Sequence, residues 1–177
     1  MPRELWKMSR AWAMPNAETF SIPPISALLD RYCQGVIVDP FARGSKRGTY
    51  TNDIDTTQPT THHMDAEAFC ELLGEMRVVA DVVLFDPPYS PRQISECYKH
   101  VGLEVGMRGT QNALLYKRVR DALGLLLRPG GIAISFGWNS AGFGKVRRYE
   151  PIELMLVAHG GAHNDTIVVV ERKRSDP

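Results

Sequence analysis

Residues 82–90 read Val82-Val83-Leu84-Phe85-Asp86-Pro87-Pro88-Tyr89-Ser90, and the fold turns on them. Val82 to Phe85 make an unbroken apolar, β-rich run, the pattern of a strand covered on both faces of a sheet. Pro87 and Pro88 offer no N–H for further pairing and stiffen the backbone where the chain leaves that sheet. A carboxylate, two proline carbonyls and an aromatic ring are thereby held at the carboxyl end of a buried strand. Open α/β sheets gather their ligands at that edge.

Upstream, Gly35-Val36-Ile37-Val38-Asp39 reads as another strand. The loop 40–48 follows, then a strand over 49–54. Thr19-Phe20-Ser21-Ile22-Pro23-Pro24 leads into a short helix to about Tyr32, with proline in its first turn. Residues 1–18 show no clear period and are read as an irregular arm. Asp65 stands where the N-cap of a helix to about Leu73 would be.

Downstream, a short helix is expected after Pro91 and a long loop over 99–110, where Gly102, Gly106 and Gly109 fall. Leu115, Val119, Ala122 and Leu126 recur at helical spacing and place an amphipathic helix over 110–127. Arg128-Pro129-Gly130-Gly131 is read as its terminator. A strand over 132–136 follows, then strands over 153–159 and 166–171 joined by residues 160–165 as a tight hairpin. Strands alternating with helices and ending in a hairpin imply a mostly parallel sheet with one antiparallel edge strand. Only nine residues, Pro40 to Gly48, link the first two of these strands. A parallel crossover ordinarily needs a dozen or more, so the first helix is reduced or missing.

Composition sets outer bounds. With 177 residues, 44% hydrophobic and 23% charged, the chain is sized for one globular domain spanning 1–177. No stretch has the roughly 20 apolar residues of a membrane span. The first thirty residues lack the apolar core of a secretory signal, so a cytoplasmic setting is expected. Cys33, Cys70 and Cys97 are widely spaced and odd in number, which suits free thiols in a reducing compartment. Net charge is only +1, a weak indication of a nucleic-acid partner. The basic residues nevertheless cluster. Arg43, Lys46 and Arg47, together with Lys145, Arg147 and Arg148, fall in loops bordering the expected ligand edge and are candidate phosphate contacts.

Asp86-Pro87-Pro88-Tyr89 resembles the signature of class I methyltransferases acting on exocyclic amino groups, above all adenine N6 in DNA. The resemblance implies S-adenosyl-L-methionine as cofactor, DNA as partner, and a Rossmann-like sheet. It also implies that Asp86 and the Pro87 carbonyl hold the two N–H groups of the target amine, while Tyr89 stacks on a flipped base. Asp39-Pro40-Phe41-Ala42-Arg43-Gly44-Ser45 is similar to the first methyltransferase motif. There, loop N–H groups and small residues allow close approach of the cofactor carboxylate. By the same resemblance Phe20 packs on the methionine portion, Asp53 or Asp55 binds the ribose hydroxyls, with Asp53 preferred, and Asp65 accepts from the cofactor adenine. The plainer alternative for Asp65 is a helix cap alone. Small phage-borne adenine methylases share the compressed first loop, the turn Phe136-Gly137-Trp138-Asn139-Ser140 and the hairpin His159-Gly160-Gly161-Ala162-His163-Asn164-Asp165.

Trp138 and Asn139 are candidates to stack on a base and to read its edge, against the plainer roles of core aromatic and turn residue. His62, His63, His159 and His163 find no further ligands, and methyl transfer from a sulfonium needs no metal, so none is expected. The chain has no room for a separate target-recognition domain. Specificity should then be relaxed, or supplied by a homodimer or a separate specificity partner. Rival readings are an RNA methyltransferase for guanine N2 or adenine N6, an enzyme for cytosine N4 or protein glutamine, and a catalytically silent nucleic-acid-binding subunit.

Overall fold

A computed structural model describes residues 6–88 and 112–175, the side chains of 112–115 excepted. Tyr89, Cys97, the helix expected after Pro91 and the 99–110 loop lie outside the described residues. Strands and helices follow in the order β1 (Lys7–Trp12), α1 (Pro23–Tyr32), β2 (Ile37–Asp39), β3 (Tyr50–Thr51), α2 (Ala66–Glu75), β4 (Ala80–Phe85), α3 (Asn112–Leu126), β5 (Leu127–Gly137), β6 (Tyr149–Ala158) and β7 (Thr166–Lys173). Single 3-10 turns lie at Thr19–Ser21 and Lys145–Arg147. No described helix is long and apolar enough to cross a membrane.

The strands form one seven-stranded sheet in the order β1-β6-β7-β5-β4-β2-β3. Neighbours are parallel except at β7, which runs antiparallel to both β5 and β6. The expected hairpin is present, but β7 is interior rather than an edge strand. The edge belongs to β1, which the sequence reading took for an irregular arm. Its alternation is inverted in size: Ser9 and Ala11 are half-buried and Ala13 just beyond the strand is buried, while Met8 and Trp12 stay exposed. Hydropathy therefore carried no strand signal there.

The apolar run of β4 is covered on both faces, as its pattern requires. Val82 and Leu84 join a cluster with Ile25, Leu28 and Leu29 of α1. Val83 and Phe85 join another with Phe69 and Leu73 of α2 and Val119 and Leu123 of α3. The sequence Arg128-Pro129-Gly130-Gly131 does follow the end of α3, yet it lies inside β5. Pairing with β4 jumps from Ala80↔Leu127 to Val82↔Ile132, so the extra residues make an irregularity that accommodates the proline.

No helix joins β2 to β3. The parallel pair is closed by turns and local bonds: Thr49 N–H donates to the Ile37 carbonyl at 2.8 Å, and Ile37 N–H to Thr49 Oγ1 at 3.0 Å. Gly48 makes this possible, because a Cβ there would lie 2.8 Å from Thr51 Cγ2 and 3.0 Å from the Tyr50 carbonyl. The strand expected over 49–54 shrinks to Tyr50–Thr51, and beyond it Asn52 bridges to His62.

Candidate active site

Loops leaving β1 to β6 converge on a cavity of about 560 Å3, within the roughly 300–1,000 Å3 of ligand pockets. Among the described residues its charged lining comprises Asp53, Asp65, Asp86 and the guanidinium of Arg43; His159 and His163 are also present. Pro40, Phe41, Ile54, Met64 and Trp138 contribute apolar walls.

Asn52 organises one end. It is buried, its Nδ2 donates to the carbonyls of Pro40 (3.2 Å) and Met64 (2.9 Å), and its Oδ1 accepts from Met64 N–H at 3.0 Å. One amide thus joins the loop after β2 to the segment entering α2. Asp53 braces the same region, accepting Arg43 N–H on Oδ2 at 3.1 Å and Asp55 N–H on Oδ1 at 2.9 Å. Asp65 caps α2 through Oδ1, which accepts from Glu67 N–H (2.9 Å) and Ala68 N–H (3.4 Å). Behind them Asp39 is fully buried. Its Oδ1 accepts Phe41 N–H at 3.2 Å, and its Oδ2 is buried with no hydrogen-bond partner. Burial pushes this carboxyl up to about 8, with the charges of Asp86 and Asp53 adding and the Phe41 N–H opposing.

Asp86, Pro87 and Pro88 all line the cavity beside Tyr116. The Tyr116 hydroxyl donates to the Pro88 carbonyl, and its ring meets Phe85 edge-on at 6.0 Å. One turn further along α3, the Arg120 guanidinium lies 5.4 Å from the Phe85 ring centroid and donates to the Gly142 carbonyl at 3.0 Å. Buried Glu171 holds the loop after β5, accepting Phe143 N–H at 2.6 Å and Gly144 N–H at 3.0 Å. Burial raises the Glu171 carboxyl, those two N–H groups and the Arg120 charge opposing it. Gly142 (φ +56) is required here, since a Cβ would sit 2.3 Å from Glu171 Oε2.

The opposite wall is the β6–β7 hairpin against the chain leaving β1. His159 is buried between the Ala13 carbonyl (Nδ1, 2.8 Å) and Thr166 Oγ1 (Nε2, 2.9 Å). A carbonyl only accepts, so Nδ1 carries the proton, and in the neutral ring Nε2 then accepts from the Thr166 hydroxyl. This clamp ties the chain leaving β1, whose Pro15, Asn16 and Ala17 line the cavity, to the hairpin that contributes His163 and Asn164.

The structure therefore brings Asp86, Pro87, Pro88, Pro40, Phe41, Asp53, Asp65, Arg43 and Trp138 to one cavity. Asp55 instead folds into its own turn, accepting from Thr57. Phe20 is buried against Phe136, ring centroids 4.8 Å apart, so its role is support of the wall. Ala42 is buried and Ser45 forms a turn with Arg47; neither lines the cavity. Two candidate phosphate contacts are occupied otherwise. Arg47 is tied to α1 through Asp30 (2.6 Å) and Ser26 (2.7 Å), and Arg147 to Asp121 at 2.6 Å and the Phe143 carbonyl. Lys46, Asn139 and Lys145 are exposed outside the cavity lining, Asn139 accepting Ala141 N–H in a local turn. Sequence reasoning missed Asn52, Tyr116 and Thr166, and gave His159 no structural role.

No family model and no curated protein matches the chain. Solved structures do. TrmN from Thermus thermophilus overlays with a TM-score of 0.55 at 18% identity, covering 86% of this chain and 49% of its own. A hemolysin candidate from Streptococcus thermophilus gives 0.56 at 12% identity, covering 88% of this chain and 65% of its own. An rRNA-methylase candidate from Clostridium thermocellum gives 0.52 at 10%, covering 85% of this chain and 96% of its own. The chain spans about half the length of the TrmN chain it overlays. Its architecture is the Rossmann-like sheet of class I methyltransferases, with an added N-terminal edge strand and without the first helix.

Proposed function

We propose that this chain is an S-adenosylmethionine-dependent N-methyltransferase whose acceptor is the exocyclic amine of a nucleobase, adenine N6 in DNA. The observation that carries the reading is the sharing of one cavity by Asp86 and Pro87 with Asp53, Asp65 and the aromatic Trp138.

The donor set fits the cofactor. Ribose hydroxyls and an adenine amino group are hydrogen-bond donors, matched by the carboxylates of Asp53 and Asp65. A sulfonium and an ammonium are cations, matched by the acidic surroundings that Asp53, Asp65 and Asp86 provide. Phe41, Ile54 and Met64 offer apolar surface for an adenine ring.

At the acceptor end, an aryl amine is a poor nucleophile because its lone pair is delocalised. The Asp86 carboxylate and the Pro87 carbonyl accept its two N–H groups and favour a pyramidal nitrogen. Bound S-adenosylmethionine would supply the methyl group, its carbon–sulfur bond breaking as the bond to nitrogen forms, and Asp86 would accept the proton then shed. Tyr116 keeps the Pro88 carbonyl occupied, so the loop is held rigid while the Pro87 carbonyl serves substrate. This is catalysis by positioning and fixed dipoles. Trp138, 45% exposed at the rim, stacks on the extruded base.

Asp86→Ala is expected to abolish methyl transfer to duplex DNA while leaving S-adenosylhomocysteine affinity within about threefold; full activity in that variant would refute the mechanism. RNA is the second reading, favoured by the likeness to an rRNA-methylase candidate, and parallel assays on RNA distinguish it.

A further inference from the structure

The cofactor carboxylate needs a partner, and the backbone that usually supplies one is spent. Among loop residues lining the cavity, Pro40 has no N–H, Phe41 N–H donates to Asp39 Oδ1, and Arg43 N–H to Asp53 Oδ2. Between them Ala42 N–H donates to the Asn52 carbonyl at 2.9 Å. The helix whose positive amino end would follow this loop is absent. Among the described residues three carboxylates line the same space, so an anionic ligand group is best placed beside a cation.

Among the described lining residues Arg43 supplies that cation. Its backbone stands at φ +48, a conformation side chains other than glycine seldom adopt. Such strain is retained where surrounding bonds over-determine it, here the bond to Asp53. Its side chain is 56% exposed and only loosely paired, Nε lying 3.7 Å from Glu18 Oε1. An exposed pair of this kind holds weakly and releases the guanidinium at little cost. We infer that Arg43 binds the carboxylate of the cofactor's amino-acid end through its guanidinium, taking over the work of the missing loop amides and helix terminus. The inference rests on the methyltransferase reading above and replaces the phosphate contact expected of Arg43 from sequence. A guanidinium grips a carboxylate in two parallel bonds, so the gain is directional as well as electrostatic.

The test is calorimetry on the full chain with two ligands: S-adenosylhomocysteine, and 5′-methylthioadenosine, which lacks the amino-acid end. Arg43→Gly is the principal variant, because glycine accepts φ +48 and folding is preserved. It should weaken S-adenosylhomocysteine by roughly 10- to 100-fold, as loss of charge-assisted hydrogen bonds does. Methylthioadenosine should shift by less than about threefold, and Arg43→Lys should recover part of the loss. Equal weakening of both ligands, or of neither, overturns the inference. So does weakened DNA binding with unchanged S-adenosylhomocysteine affinity, which would return Arg43 to a phosphate role. A wild-type chain that binds neither ligand would instead fail the methyltransferase reading itself, and this inference with it.

Discussion

Replacing Asn52 by aspartate keeps the shape of the side chain and reverses one half of its chemistry. Nδ2 now donates to the carbonyls of Pro40 and Met64 at 3.2 and 2.9 Å, in a residue only 1% exposed. A carboxylate oxygen in its place faces two carbonyl oxygens with no proton between them, while the bond from Met64 N–H to the other oxygen survives. Each buried acceptor left unpaired costs about 1–3 kcal/mol, so the variant should lose about 2–6 kcal/mol at neutral pH. That is a large part of the roughly 5–15 kcal/mol of a typical domain. The loss should shrink in mild acid, where a protonated carboxyl regains one donor. Urea denaturation of wild type and Asn52→Asp at pH 7 and pH 5 measures both effects. Calorimetry with S-adenosylhomocysteine should show affinity falling in parallel, since Asn52 joins the two segments that bear Pro40 and Asp65. Stability within about 0.5 kcal/mol of wild type at pH 7 would refute the assignment of Asn52 as the brace.

Three further outcomes follow from the geometry. Tyr116→Phe removes the donor to the Pro88 carbonyl and should cut kcat by about 10- to 100-fold through misplacement of Asp86, with cofactor affinity unchanged; unaltered kcat in steady-state assays would exclude a positioning role. Asp39→Asn should flatten the pH dependence of stability. The buried carboxyl is raised to about 8, so its contribution is complete below its ordinary value near 3.8 and lost as pH rises through about 8. Thermal melts from pH 5 to pH 9 should therefore show the asparagine variant gaining on wild type toward alkaline pH; parallel curves would contradict this. Trp138→Ala should raise KM for nucleic acid by about 5- to 100-fold, the worth of one stacked base, without moving S-adenosylhomocysteine affinity in calorimetry.

The sheet was legible because its central strands are continuous apolar runs: Val82 to Phe85 could only be covered on both faces. The missing helix was legible too, since nine loop residues cannot hold one. Strand β1 was not, because small Ser9 and Ala11 take the half-buried positions while Met8 and Trp12 face outward, so the usual hydropathy pattern is inverted. Much of the site could be read from strand ends, near which Asp53 and Asp86 stand, and from the helix cap at Asp65. Asn52 and Tyr116 escaped because their partners are backbone carbonyls 12 or more residues away, which no local pattern encodes. Arg47 and Arg147 misled for the opposite reason. A basic cluster shows charge, while the aspartates that engage these side chains lie 17 and 26 residues distant in the chain.

The most direct measurement is mass spectrometry of nucleosides digested from the DNA and RNA of cells expressing wild type or Asp86→Ala. N6-methyl-2′-deoxyadenosine should rise in DNA with the wild-type chain alone. No methylated nucleoside in either polymer, or equal amounts with Asp86→Ala, would contradict an amine held between Asp86 and the Pro87 carbonyl.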